Sequence, residues 1–155
     1  MKIFQRPWLM FVPLLLWVQI AQAGEVVVEK AWVRLPPPQS TAAAFLTIRN
    51  GTDTEVYLVG AESAVASRVE IHRSVVSDGV ASMEEAPRVA IAAGETLTLA
   101  PKGMHLMLFE PGALSEGAEI PLELKFEPDQ TIPARAEVRR ADPGKHEGRG
   151  HHAHH

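Results

Sequence analysis

The strongest constraint on the fold is a rhythm: short runs rich in Val, Ile, Leu and Thr recur between turn-forming residues, with no sustained helical period after the first two dozen positions. The runs Val26 to Val33, Ala43 to Arg49, Glu55 to Gly60, Arg68 to Val75, Arg88 to Ile91, Thr96 to Leu99, Met104 to Phe109, Ile120 to Phe126 and Ile132 to Arg139 read as strands. Pro36-Pro37-Pro38, Asn50-Gly51, Asp78-Gly79, Gly94, Pro101-Lys102-Gly103, Pro111-Gly112 and Pro128-Asp129 separate them as turns and loops. Glu62 to Ser67 can make one helical turn, and no internal repeat is present. Many short strands at regular intervals predict an all-β domain, an antiparallel sandwich or barrel.

The two ends have a different character. Lys2 and Arg6 precede the thirteen-residue apolar stretch Trp8 to Ile20, and Ala21-Gln22-Ala23 fits a signal-peptidase site, so residues 1–23 read as a cleavable signal peptide. A membrane anchor needs about 20 apolar residues, and this stretch is shorter and interrupted by Pro13 and Gln19. A lipid anchor needs a cysteine at the cleavage site, where none stands. The expectation is a soluble protein of the periplasm, monomeric, with residues 24–140 as one domain. Without Lys2 and Arg6 the formal charge moves from −4 to −6, and no basic stripe is present to neutralise phosphates, which argues against nucleic acid as a partner. The chain has no cysteine, so hydrophobic burial must stabilise the fold without disulfides.

Four side chains stand out from this background. His72, Met83, His105 and Met107 follow the spacing H-x10-M-x21-H-x-M and use four of the five His and Met residues found between positions 24 and 140. Two neutral imidazoles and two thioethers suit a soft ion such as Cu(I), whereas Mg²⁺ or Ca²⁺ would select oxygen. Strand alternation sharpens the pattern. In Met104-His105-Leu106-Met107-Leu108 the leucines share Met104's face and read as core, leaving His105 and Met107 together on the other, about 6.5 to 7 Å apart at Cα. The alternation of Val69 and Ile71 with Glu70 and His72 likewise turns His72 away from the core. Met83 lies in a segment too short and mixed to orient. Taken singly, a strand Met is usually a core gap-filler and a lone His on a polar face is solvated, so only the joint pattern carries weight. Glu70 and Arg73 read as a solvated strand face.

This spacing resembles the motif of the PCu(A)C family of periplasmic copper chaperones. The resemblance extends to Ala31-Trp32-Val33-Arg34, to Ala42 through Asn50, to Val69-Glu70-Ile71-His72, to Gly79-Val80 and to Pro101 through Leu108, covering nearly all of residues 25–140. It departs at Lys102, where glycine is common in the family, and in the acidic surroundings of Met83, Ser82-Met83-Glu84-Glu85. The resemblance implies a cupredoxin-like, Greek-key β-sandwich. It would bind Cu(I) at its surface through His72, Met83, His105 and Met107 and deliver it to respiratory centres, chiefly the CuA site in the copper subunit of cytochrome c oxidase. Another periplasmic copper protein, or a thioredoxin-like protein of copper-site assembly, is the other acceptor it implies.

Residues 141–155 form a separate, nearly apolar-free region whose composition predicts disorder. His146, His151, His152, His154 and His155 make it a His-rich metal-binding segment, and the interruptions at Glu147 to Gly150 and at Ala153 distinguish it from an expression tag. Imidazole clusters suit Cu(II), Ni(II) and Zn(II), and capture of Cu(II) is the role expected here. A blue-copper electron carrier would need a cysteine, and a histidine-brace oxygenase a His at the mature N-terminus in place of Gly24. No catalytic constellation stands out, so no enzymatic activity is expected. A copper buffer or resistance protein without specific delivery is the alternative to a chaperone.

Overall fold

A computed structural model describes residues 24–140. The expected signal peptide 1–23 and the tail 141–155, with His146, His151, His152, His154 and His155, lie outside the described residues. Ten strands follow in order: β1 Val26–Arg34, β2 Ala42–Asn50, β3 Val56–Glu62, β4 Arg68–Ser77, β5 Val80–Glu85, β6 Val89–Ile91, β7 Thr96–Leu99, β8 Met104–Phe109, β9 Glu119–Glu127 and β10 Gln130–Arg139. The described residues include no helix long and apolar enough to cross a membrane.

The strands pair in the order β5-β4-β8-β2-β1-β10-β9-β3-β6, with β7 beside the second half of β2, and a further pairing of β3 with β4 closes the circuit. Closure removes most free edges. All pairings are antiparallel except one: the first and last strands, β1 and β10, run parallel through Trp32 to Arg34. Inside lies one apolar core to which facing strands contribute alternate residues, Ala44, Leu46 and Ile48 from β2, Leu106 and Leu108 from β8, Leu122 and Leu124 from β9. The all-β architecture expected from the strand rhythm is found, as ten strands in one sheet that is mixed at β1–β10 where antiparallel pairing throughout was expected.

Two local features differ from expectation. The segment Glu62 to Ser67 is not a helical turn; Glu62 ends β3 and a single turn follows, with the Ala66 amide donating to the Ser63 carbonyl at 3.2 Å. Strand β5 was not expected at all. Every residue in it is exposed, so it carries no alternation to read, and only its backbone ladder to β4 reveals it. The signal lay in Asp78-Gly79. Both residues take positive φ, 51° and 78°, as the central pair of a type I′ hairpin does, and the turn joins β4 to β5 directly.

Candidate metal centre

Cross-strand register assembles the site. His72 on β4 stands directly opposite His105 on β8, and Glu70 opposite Met107 two residues along. Directly paired residues share a face, so His72, His105, Glu70 and Met107 all project from the side away from Ile71, Leu106 and Leu108. On the other flank of β4, Met83 pairs with Ser74, the next residue of the same face. The register thus supplies the orientation that Met83's own segment does not, and all four residues singled out by the spacing share one face. Met104 pairs with Arg73, faces the other way and packs against the core.

The four are not equally close. The His72 and His105 rings lie 6.1 Å apart between centroids. Met107 is the diagonal neighbour of His72 on one side and Met83 on the other, positions from which long side chains can reach. Across a flat sheet, two strand spacings and four residues separate the two methionines, about 16 Å. Met83 is also 58% exposed. His72, His105 and Met107 therefore form a compact group, and Met83 stands on a hairpin arm beside it.

His105 is more enclosed than its polar face implied, at 4% exposure. Phe45 on β2 lies 6.3 Å from it between ring centroids, and Trp32 on β1 packs on Phe45 at 4.6 Å. These two buried rings roof one side of the imidazole, a contact between strands that no local pattern reports. Burial pushes the His105 pKa below its usual value, the Gly103 carbonyl opposes this, and His72 adds a smaller depression. The shift favours the neutral imidazole, the form a metal requires. Nδ1 of His105 donates to the Gly103 carbonyl at 3.2 Å.

Gly103 is placed by the turn before β8. The Gly103 amide donates to the Ala100 carbonyl at 3.0 Å, and Lys102 holds φ of 65°, a conformation that strains any residue but glycine or Asn. Lys102→Gly should raise stability by about 0.5 to 1 kcal/mol, the relief of that strain less the entropy glycine gains when unfolded. A higher thermal midpoint checks it; a lower one would show that Lys102 contributes a contact outweighing the strain.

Glu70 departs most from the solvated strand position expected of it. One carboxylate oxygen lies 2.9 Å from His72 Nε2, and the other accepts from Arg68 Nε at 2.7 Å. The hydrogen bond from His72 first, then that from Arg68, hold its carboxyl below the usual carboxylate range. Arg68 in turn lies over the Phe109 ring at 3.7 Å. The signal was available, since alternation already put Glu70 and His72 on one face. Arg73 is exposed, as expected, but on the face opposite to Glu70. No three His, Cys, Asp or Glu residues among those described cluster as a metal site.

The model of the family described as "Putative lipoprotein LpqE-like" matches residues 26–138. The chain belongs to the LpqE-like family. A relative with the same lipoprotein description, Lxx21020 of Leifsonia xyli subsp. xyli (strain CTCB07), is 38% identical over 120 residues, 76% of this chain and 72% of its own. These descriptions are those of exported proteins. Among solved structures, Cu(I)-bound DR1885 from Deinococcus radiodurans is 33% identical with a TM-score of 0.65, covering 81% of this LpqE-like chain and 85% of its own. The apo PCuAC domain from PmoF1 is 25% identical with a TM-score of 0.65, covering 77% and 97%. The PCu(A)C resemblance and the cupredoxin-like fold read from the sequence are both borne out by these neighbours.

Proposed function

We propose that this protein is a Cu(I) carrier of the periplasm that holds the ion with His72, Met83, His105 and Met107 and passes it to another copper protein. The observation that carries the proposal is the register: His72 opposite His105, with Met107 and Met83 on the same face at the two diagonals. The Cu(I) form of DR1885, with the same overall fold, supports copper as the cargo.

The chemistry suits transfer more than storage. Four neutral ligands leave the ion its own charge and no thiolate bond to break, so an acceptor's ligands can replace them one at a time. Thiolates would bind more tightly and would be exposed to oxidation outside the cytoplasm. Strand β5, held only by its ladder to β4, makes Met83 the ligand most easily lifted away. We assign the acceptor as the CuA site in the copper subunit of cytochrome c oxidase, reached directly or through a thioredoxin-like assembly protein. Mixing the Cu(I)-loaded protein with the apo CuA fragment tests this. Appearance of the CuA chromophore after reoxidation supports delivery, and retention of copper by the donor favours the buffer reading.

The tail's five histidines are assigned to Cu(II) capture. Arg139, Arg34, Ala43 and Met107 lie in one cross-strand row, so the end of β10 stands three strand spacings, about 15 Å, from Met107. Fifteen residues span up to about 50 Å when extended, so the reach is sufficient to raise the local copper concentration. Deleting residues 142–155 should abolish Cu(II) binding and leave Cu(I) binding intact by titration. Equal loss of both would defeat this division.

A further inference from the structure

We propose that Glu70 is a positioning residue that decides which nitrogen of His72 receives copper; the inference rests on the site proposed above. A neutral imidazole has one N–H donor and one lone-pair acceptor, and what each nitrogen faces selects between the tautomers. Glu70 carboxylate can only accept, so His72 Nε2, 2.9 Å away, carries the proton and donates it. The lone pair is then on Nδ1. Among the described residues, Nδ1 of His72 is the one buried side-chain nitrogen or oxygen without a hydrogen-bond partner. A buried acceptor left unsatisfied is costly, and a metal ion is a partner that would remove the cost.

His105 is arranged in the opposite sense. Its Nδ1 gives its proton to the Gly103 carbonyl, which leaves Nε2 as the free donor atom. The pair would therefore bind asymmetrically, His72 through Nδ1 and His105 through Nε2. Glu70 is itself fixed from behind, because its second oxygen accepts from Arg68 Nε and the Arg68 guanidinium rests on the Phe109 ring. Phe109 also flanks His72, at 6.1 Å between centroids. The imidazole is thus held by one hydrogen bond and one ring, with a single orientation presented to the ion. Carboxylates that orient a metal-binding imidazole commonly change affinity about 10- to 100-fold when removed.

Cu(I) is a closed-shell ion, so the test can be read by NMR on the ¹⁵N-labelled protein under reducing conditions. Long-range ¹H–¹⁵N spectra of the imidazoles should show His72 protonated at Nε2 before copper is added. On addition of Cu(I), His72 Nδ1 and His105 Nε2 should shift while the other two nitrogens stay protonated. A response at His72 Nε2 overturns the inference and leaves the site standing; no response at either imidazole overturns the site and the inference together. Glu70→Ala should yield a mixture of His72 tautomers and a Cu(I) affinity lower by about 10- to 100-fold. Glu70→Gln, whose amide oxygen still accepts from Nε2–H, should keep the tautomer and stay within a few-fold of the parent. A Glu70→Ala variant that is merely less stable, with the tautomer ratio unchanged, would reduce Glu70 to a structural residue and overturn the proposal.

Discussion

Alanine in place of His105 is expected to weaken Cu(I) binding by well over the roughly 100-fold that marks loss of an orienting partner, because it removes a donor held in place by burial and by the Gly103 carbonyl. Met107→Ala should follow closely. Met107 lies on β8, between β4 and β2, opposite Glu70 and Ala43, so its approach to the ion is largely arranged in advance. Met83→Ala should cost less. To join the ion Met83 must bring its exposed hairpin over the face, and part of its binding energy offsets that ordering. The ranking is measured by titrating each variant against a competing Cu(I) chelator under reducing conditions. If the Met83 and Met107 variants both bind as well as the parent, the proposed site is wrong. If Met83→Ala loses more than Met107→Ala, the hairpin is already closed over the face without copper. Amide exchange provides an independent check, since β5 should be protected by Cu(I) in the parent and not in Met83→Ala.

The sequence carried most of the strands and the orientations of three of the four proposed ligands, because both depend on local alternation. His105 and Met107 share a face by virtue of their spacing alone, and His72 and Glu70 do likewise on β4. What lay beyond reach depends on which strands become neighbours. The roof over His105 requires Trp32 of β1 and Phe45 of β2 to pack beside β8, and the orientation of Met83 requires its pairing with Ser74. Strand β5 escaped because a fully exposed hairpin arm has no buried face to imprint a period, although Asp78-Gly79 marked its turn. Glu70 is an intermediate case. Its face was readable, but a carboxylate on a strand surface is usually solvated, and only the distances to His72 and Arg68 show otherwise.

The largest loss of stability should come from the opposite end of the sandwich. Asn50 is fully buried at the end of β2, and its amide nitrogen lies 2.8 Å from the Thr54 carbonyl, 2.9 Å from that of Ile91 and 3.1 Å from that of Ala92. Its oxygen accepts from the Thr52 amide at 3.0 Å and the Thr52 hydroxyl at 2.7 Å. One side chain thus ties the β2–β3 loop to the strand β6 and the turn after it. Asn50→Ala leaves the buried Ile91 carbonyl and the part-buried groups around it without this partner, at about 1 to 3 kcal/mol for each that water does not reach, so a total near 3 to 5 kcal/mol is expected. That is a large part of the roughly 5 to 15 kcal/mol that stabilises a domain. Asn50→Asp separates hydrogen bonding from packing. It keeps the shape but replaces the donor with a carboxylate facing three carbonyl oxygens, and it should destabilise at least as much as alanine. Denaturant midpoints at an unchanged m-value measure both. An Asp variant close to the parent would show that the amide does not hold the loop through its N–H groups. Asn50 lies about 17 Å along β2 from Phe45, so whatever fraction of either variant remains folded should bind Cu(I) with the parent's affinity. A folded variant with weakened binding would mean that this end of the sandwich sets the spacing of β2 against β8 at the site.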